Sequence, residues 1–449
     1  MNTLFFPKNK TETFSKEKCK AYILAQRFEG KSSIDGISTL MKRSEMPYSS
    51  VGSISECLCQ IGQSLPCTLK NECESESFIV FASDEVYAKS IPLLITVDPI
   101  SSVILRIERA NQRTAEIWSN HFQSIQGNGF RARLFTSDAG TGLCAAHKDV
   151  FGDIPWQLDT FHGIAHCLGD WVRRLEKSAY SALQLSEERE EKLDSAKSKR
   201  VIDKRLTLCL VADSLSEQAI ELYDNFHYLY KVLIHELTLF NSKGELRQRA
   251  QAEGNMEAAL ELMASLNHKA INKTLTSVKK ALPDLLTYFD EAPAVIKRCQ
   301  KLSTKKDALH ALYLAWQWNK AIIKAKEPIR KNKAREQQRF YLELAELFIE
   351  EKKKYTELKD CVYAELDTII QASSMVECIN SILRPYLNNS KNQVTQEFLN
   401  TFMFYHNHRR YHAGKRKGKT PMEILTGKKQ KEDWIILLMR EINQSVLAA

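Results

Sequence analysis

The chain has 449 residues, 43% of them hydrophobic and 27% charged, with only 16 Gly and 11 Pro. That is more than one hydrophobic core usually supports and excludes a largely disordered chain, so about two to four folded domains are expected. Lys and Arg (64) outnumber Asp and Glu (55), a net charge of +9 that suits a polyanionic partner but also occurs in ordinary soluble proteins. The first residues show no basic stretch leading into an apolar run, and no segment of about 18 apolar residues occurs, so a cytoplasmic chain without a membrane partner is expected. Its 11 cysteines are scattered and read as reduced core residues. Cys57, Cys59, Cys67 and Cys73 lie close together, but they lack the paired C-x-x-C knuckles of a zinc site.

Residues 17–65 predict three short helices broken at Gly30–Ser33 and Glu45–Ser49, with Tyr22, Leu24, Phe28, Ile34, Ile37, Leu40 and Met41 as core. The pattern fits a helix-turn-helix or a plain three-helix bundle. Its third helix opens on Ser49-Ser50, good capping chemistry, and offers Ser50, Ser53 and Ser55 to base edges or phosphates. From 77 the character changes. Phe78–Ala82 is an apolar run of strand length ending at Ser83-Asp84, Ile91–Val97 a second strand and Val103–Ile107 a third. A helix follows from about Thr114 to Gln126, then strands at Leu134–Ser137 and Ile154–Leu158, ending at Asp138 and Asp159. From about 171 to 370 helical periodicity takes over, as in Leu222, Phe226, Leu229, Leu233 and Leu237. Its charge-dense stretch at 187–205 reads as a solvated helix or linker. A helix through Glu377, a break at Pro385, a helix over 395–408 and a basic tail close the chain.

Strands and helix in the order βββαβ make the first half of an RNase H-like sheet, in which the first and fourth strands are neighbours. That places Asp84 beside Asp138. Two divalent ions need hard oxygen ligands, and a third acid must come from elsewhere. Glu377 supplies it if its helix packs on the sheet through Val376, Ile379, Ile382 and Leu383. Asp98 is the rival first acid, because it too follows an apolar strand, but Asp98-Pro99-Ile100-Ser101-Ser102 reads as a hairpin turn.

Asp84-Glu-Val-Tyr, Thr136-Ser-Asp138-Ala-Gly140 and Val376-Glu-x-x-Asn-Ser-x-Leu-Arg384, followed by Phe-Tyr-His-Asn-His-Arg-Arg-Tyr at 404–411 and Gly-Lys-Thr-Pro-x-Glu at 418–423, resemble the acid motifs and C-terminal ends of bacterial insertion-sequence DDE transposases, within the RNase H-like and retroviral integrase superfamily. Asp159-Thr-Phe-His162 is similar to the signature that transposases with a helical insertion carry after their second acid. The long gap between Asp138 and Glu377 agrees, since an insertion must interrupt the fold.

The resemblance implies an α/β RNase H-like core with a βββαβ-β mixed sheet, interrupted by a large all-α insertion and preceded by a helix-turn-helix-like domain. The expected divisions are 1–76 N-terminal DNA-binding helices, 77–170 first part of the core, 171–365 insertion, 366–392 Glu-bearing helix and 393–449 C-terminal helix and basic tail. It further implies metal-dependent cleavage and strand transfer by Asp84, Asp138 and Glu377, which would hold two Mg²⁺ ions with Mn²⁺ as substitute. Arg384, two helical turns after Glu377, would hold a DNA phosphate. The expected partners are double-stranded DNA, both element ends and target, and further copies of the chain in a dimer or larger synapse on the bacterial nucleoid. Arg409, Arg410, Lys415, Arg416, Lys417 and Lys419, interleaved with aromatic residues, suit phosphate contact plus stacking. The basic run from Lys320 to Arg339 suits either a DNA backbone or a solvated helix face. Trp316 and Trp318 are candidates for stacking on a flipped base, against core packing. His162, His166 and Cys167 read more readily as structural than as catalytic. Two other functions remain open, a domesticated non-catalytic DNA-binding protein on the same scaffold and a nuclease without strand transfer.

Overall fold

The computed structural model describes residues 14–73, 75–138, 140–349 and 351–448. It divides into two compact units, one made of the chain up to Pro155 together with the chain from Ser373 onward, the other of Trp156–Ala372. Residues 1–13 of the expected N-terminal domain and Ala139 of the second acid motif lie outside the described residues.

The first unit opens with α1 (Lys16–Phe28), α2 (Ile34–Arg43) and α3 (Val51–Gln63). Each starts on a serine whose hydroxyl accepts a first-turn N–H, Ser15 from Lys18, Ser33 from Gly36 and Ser50 from Ser53. The chain breaks between them at Lys31, Glu45 and Tyr48, all with positive φ. These helices have a small core of their own around Ile23, Ile37, Met41 and Ile54 and also pack on the sheet. Leu24, Phe28 and Ile61 share one buried cluster with Leu93, Ile95 and Ile107 of the sheet. Gly62 approaches the Glu397 backbone so closely that any β-carbon there would overlap it.

The sheet follows as β1 (Ser77–Ala88), β2 (Ile91–Val97) and β3 (Ile104–Arg109), then α4 (Ala115–Gly127), β4 (Phe130–Ser137), α5 (Thr141–Phe151) and β5 (Trp156–Leu158). Its strand order is β3-β2-β1-β4-β5, with β1 antiparallel to β2 and parallel to β4. β1 does not end at Ser83 as expected, because Ser83–Ala88 stay paired with β2 as far as Ala88 opposite Ile91. α5 was not expected at all. Strand alternation separates two faces. Phe81 points to an aromatic cluster with Phe122 of α4, Phe135 of β4 and Phe151 of α5. Ser83, on the same side, bonds Thr96, which bonds the buried His121, itself 3.2 Å from Glu108. Burial holds that imidazole down at about 4, so it is neutral at physiological pH. Ala82 and Val86 point the other way.

β5 opens the second unit, and a π-helical turn (Phe161–His166) leads into α6 (Cys167–Asp194) and α7 (Lys199–Glu236). Then come α8 (Arg249–Ser265), α9 (Lys269–Leu285), α10 (Tyr288–Leu302), α11 (Lys306–Lys324), α12 (Pro328–Leu347) and α13 (Lys352–Leu366). They enclose one core that includes Phe226, Leu233, Met256, Leu282, Leu312 and Val362. The first unit is completed by α14 (Ser374–Asn389), α15 (Gln396–His408), α16 (Pro421–Thr426) and α17 (Trp434–Ala448). Pro385 does not end α14, since Tyr386 and Leu387 just beyond it are buried in the sheet's core. No helix among the described residues is long and apolar enough to cross a membrane.

Candidate active site

Alternation along β1 puts Asp84 on the side of Ala82 and Val86, whose buried cluster includes Val376, Ile379 and Leu383 of α14. Asp84 therefore faces α14. The Asn380 amide donates to Asp84 Oδ2 at 2.9 Å, and the Glu85 N–H donates to its Oδ1 at 2.8 Å. On the neighbouring strand, Asp138 follows the last residue of β4, and its Oδ1 accepts from the Gly140 N–H at 2.9 Å. Glu377 sits in the first turn of α14, one turn before Asn380, where the helix dipole favours an anion. Burial, then the charges of Glu377 and Asp138, push Asp84 from its ordinary 3.8 up to about 7. Three acids from separate parts of the sequence thus share one electrostatic neighbourhood.

Among the described residues no three His, Cys, Asp or Glu side chains are arranged to hold a metal ion as they stand. The donor chemistry nonetheless suits a hard cation. Carboxylate oxygens are its preferred ligands, and the Oδ1 of Asn380 is buried with no hydrogen-bond partner among the described residues. Asn380 belongs to the motif quoted at 376–384 but was given no role there, although its spacing of three from Glu377 puts both on one helix face. Arg113 was also missed. It pairs with Glu85, which, ahead of a lesser contribution from Asp138, holds its guanidinium above its ordinary pKa.

Asp98 occupies the turn between β2 and β3. It is buried and accepts from the Ser101 N–H at 2.8 Å and the Ser101 hydroxyl at 2.5 Å, so its carboxylate is spent on the turn. Arg384 is exposed on α14. Asp159 and His162 belong to the second unit, where Asp159 Oδ1 accepts from the N–H groups of Phe161 at 2.7 Å and His162 at 3.1 Å, acting as a helix cap, while His162 is exposed.

The tail divides by what its cations touch. Arg410 donates to the Gly418 carbonyl at 2.8 Å and to Glu423 at 2.9 Å, and Arg416 donates to the carbonyls of Pro99 and Ile100 at 3.1 and 3.0 Å. Both guanidiniums fasten the tail to the fold. Arg409 lies over the rings of Tyr405 and Tyr411. Lys415, Lys417 and Lys419 are exposed. Trp316 lies in the core of the second unit, the core-packing alternative. Only 2% exposed, it packs in the helical core and donates to Asp367 at 3.1 Å, so no base can stack on it while the core stays closed. Trp318 is half-buried. In the basic run, Arg330 pairs with Glu327 and Arg339 with Glu343. Ser50 spends its hydroxyl on the α3 cap and lies 2.8 Å from that of Ser53. Cys57, Cys59, Cys67 and Cys73 are free thiols, and Cys67 accepts from Arg106 at 3.3 Å.

No protein-family model matches this sequence, and comparison with curated proteins finds no match.

Proposed function

We propose that the chain is a DDE-type DNA transposase with an RNase H-like core, cutting element ends and joining them to target DNA. The observation that carries this reading is the raised carboxyl of Asp84, driven by burial and by the facing charges of Glu377 and Asp138. A fold that gathers acids at such a cost is suited to a site that a cation neutralises. The sheet order, with parallel β1 and β4 at its centre, supports the same reading.

In this proposal Asp84, Asp138 and Glu377 hold two Mg²⁺ ions, with Mn²⁺ as substitute. When bound, these supply activation of the attacking hydroxyl and stabilisation of the departing oxygen. The chain's own residues orient the ligands. The Asn380 amide fixes one Asp84 oxygen, and the backbone amides of Glu85 and Gly140 fix one oxygen each on Asp84 and Asp138. Arg384 and the tail lysines Lys415, Lys417 and Lys419 contact duplex phosphates. Water first attacks a phosphodiester at the element end and frees a 3′-hydroxyl. That hydroxyl then attacks a target phosphodiester, forming one bond as the target's 3′-oxygen leaves. Because two ends must be joined, two or more copies act together in a synapse on the bacterial nucleoid.

One observation favours the second reading, a non-catalytic DNA-binding protein on the same scaffold: the three acids are not arranged to hold a metal as they stand. A joining assay decides between them, using an oligonucleotide with a 3′-hydroxyl, supercoiled plasmid and Mn²⁺. Covalent transfer by the unaltered protein and none by Asp84→Asn is the expected result. Plasmid nicking without joining would point to a nuclease, and neither activity to the scaffold.

A further inference from the structure

The charges of the dense stretch 187–205, which reads as a solvated helix or linker, are sorted by the fold. The stretch forms the tip of the α6–α7 hairpin, where a groove of about 430 Å³ is lined by Arg189 and Lys192 of α6 and by Arg200, Lys204 and Arg205 of α7. Val201 and Leu208 make its apolar floor. The carboxylates of the same stretch line none of it. Helix periodicity contributes to the sorting, because Arg200, Lys204 and Leu208 repeat every four residues and share a face.

Among the described residues Arg189, Arg200 and Lys204 have no ion-pair partner. Lys192 is 3.5 Å from Glu188, and Arg205 donates to the Ser195 hydroxyl at 3.0 Å and to the Lys192 carbonyl, tying the two helix ends together. The cations also sit against the local field. Lys199 and Arg200 occupy the first turn of α7, no acid accompanies them, and Ser198 makes no side-chain cap. A helix N-terminus already carries partial positive charge, so these residues repel it until an anion arrives.

We infer that this groove binds the phosphate backbone of duplex DNA. One small anion needs one or two cations. Five along one groove, over an apolar floor that suits deoxyribose, fit a polymer of repeating phosphates. The identity of the polymer rests on the proposed function, but the groove's charge does not depend on strand transfer.

The test is fluorescence anisotropy of the full-length protein with a labelled duplex of about 30 bp across a KCl series, since each phosphate contact adds about 0.9 to the salt slope. The variant Arg189→Gln/Arg200→Gln/Lys204→Gln is expected to lower the slope by about 2 to 3 and to weaken binding at least about 10-fold at moderate salt. Its thermal melt, read by circular dichroism, should match the unaltered protein, and Arg200→Lys/Lys204→Arg should keep the slope. An unchanged slope in the triple variant overturns the inference alone. Binding of inorganic polyphosphate without any duplex binding overturns it in favour of a free polyphosphate. Failure of the unaltered protein to bind duplex at any salt overturns it together with the transposase reading, whereas binding without joining leaves the groove standing and removes only the chemistry.

Discussion

The two units gather charge by opposite means. In the first, Asp84, Asp138 and Glu377 come from β1, the end of β4 and the start of α14, so the acid neighbourhood exists only when the sheet and a distant helix have packed. In the second, the basic groove comes from one continuous hairpin and needs only helix periodicity and a short connection. The site made by long-range packing holds a half-buried, electrostatically strained Asp84, while the one made by local spacing is exposed. Tertiary damage should therefore remove the first kind, and charge substitution alone should suffice for the second.

The sharpest break in this comparison is chemical. Glu377→Gln is expected to lower joining activity by at least about 10³-fold, the scale of losing a group that acts on the transition state, while leaving the melting temperature nearly unchanged. Loss of activity together with folding would instead make Glu377 structural.

The next largest effects separate the two cores. Trp316→Ala should destabilise the helical unit by about 3–5 kcal/mol, through the lost ring and the stranded Asp367 acceptor. Gly62→Leu should destabilise the sheet unit by about 1–3 kcal/mol or more, because the side chain collides with the Glu397 backbone. Calorimetry on the full chain reads both, and a comparison that holds shows different parts of the transition shifting in the two variants.

A pH experiment sharpens the strain argument. The Asp84 carboxyl is raised from 3.8 to about 7 in the folded state, so the folded chain keeps a proton that the unfolded chain releases between these values. Stability is therefore fully present below about pH 4 and is lost as pH rises to about 7, by on the order of 4 kcal/mol before solvent screening reduces it. Asp84→Asn should flatten that slope in urea melts, and Mn²⁺ should restore stability to the unaltered protein above pH 7. If the slopes coincide, Asp84 is not under the repulsion described. The smallest effect is Ser50→Ala, which should cost about 1 kcal/mol through the lost α3 cap.

Much of the sheet was legible because buried strands announce themselves as apolar runs, and the turn residues after β2 and the serines before α1–α3 carry their own chemistry. Local pattern could not tell how far β1 extends, since Asp84–Ala88 are held by pairing with β2 and not by apolar character. α5 was hidden because Thr141–Phe151 opens on Gly140 without a side-chain cap. Among site residues Asp84 and Asp138 stood out as acids after apolar strand runs and Glu377 by its motif on an apolar-faced helix, whereas the bond of Asn380 to Asp84 becomes visible only once α14 is laid against β1. The structural bonds of the tail arginines were hidden for the same reason. The carbonyls of Pro99 and Ile100 that hold Arg416 lie more than 300 residues away in sequence, and no spacing rule reports such a bond.

The interruption of the first unit by the second also sets an order of manufacture. A ribosome delivers β1 and β4 early, then the whole of the helical unit, and only afterwards the helix that brings Glu377, Asn380 and the packing residues Val376, Ile379 and Leu383. Throughout that interval the nascent chain carries two acids without the third. A stop that falls between α7 and α14 therefore leaves a fragment with the basic hairpin and with Asp84 and Asp138 but without Glu377 or Asn380, so the cationic groove is made long before the last of the three acids.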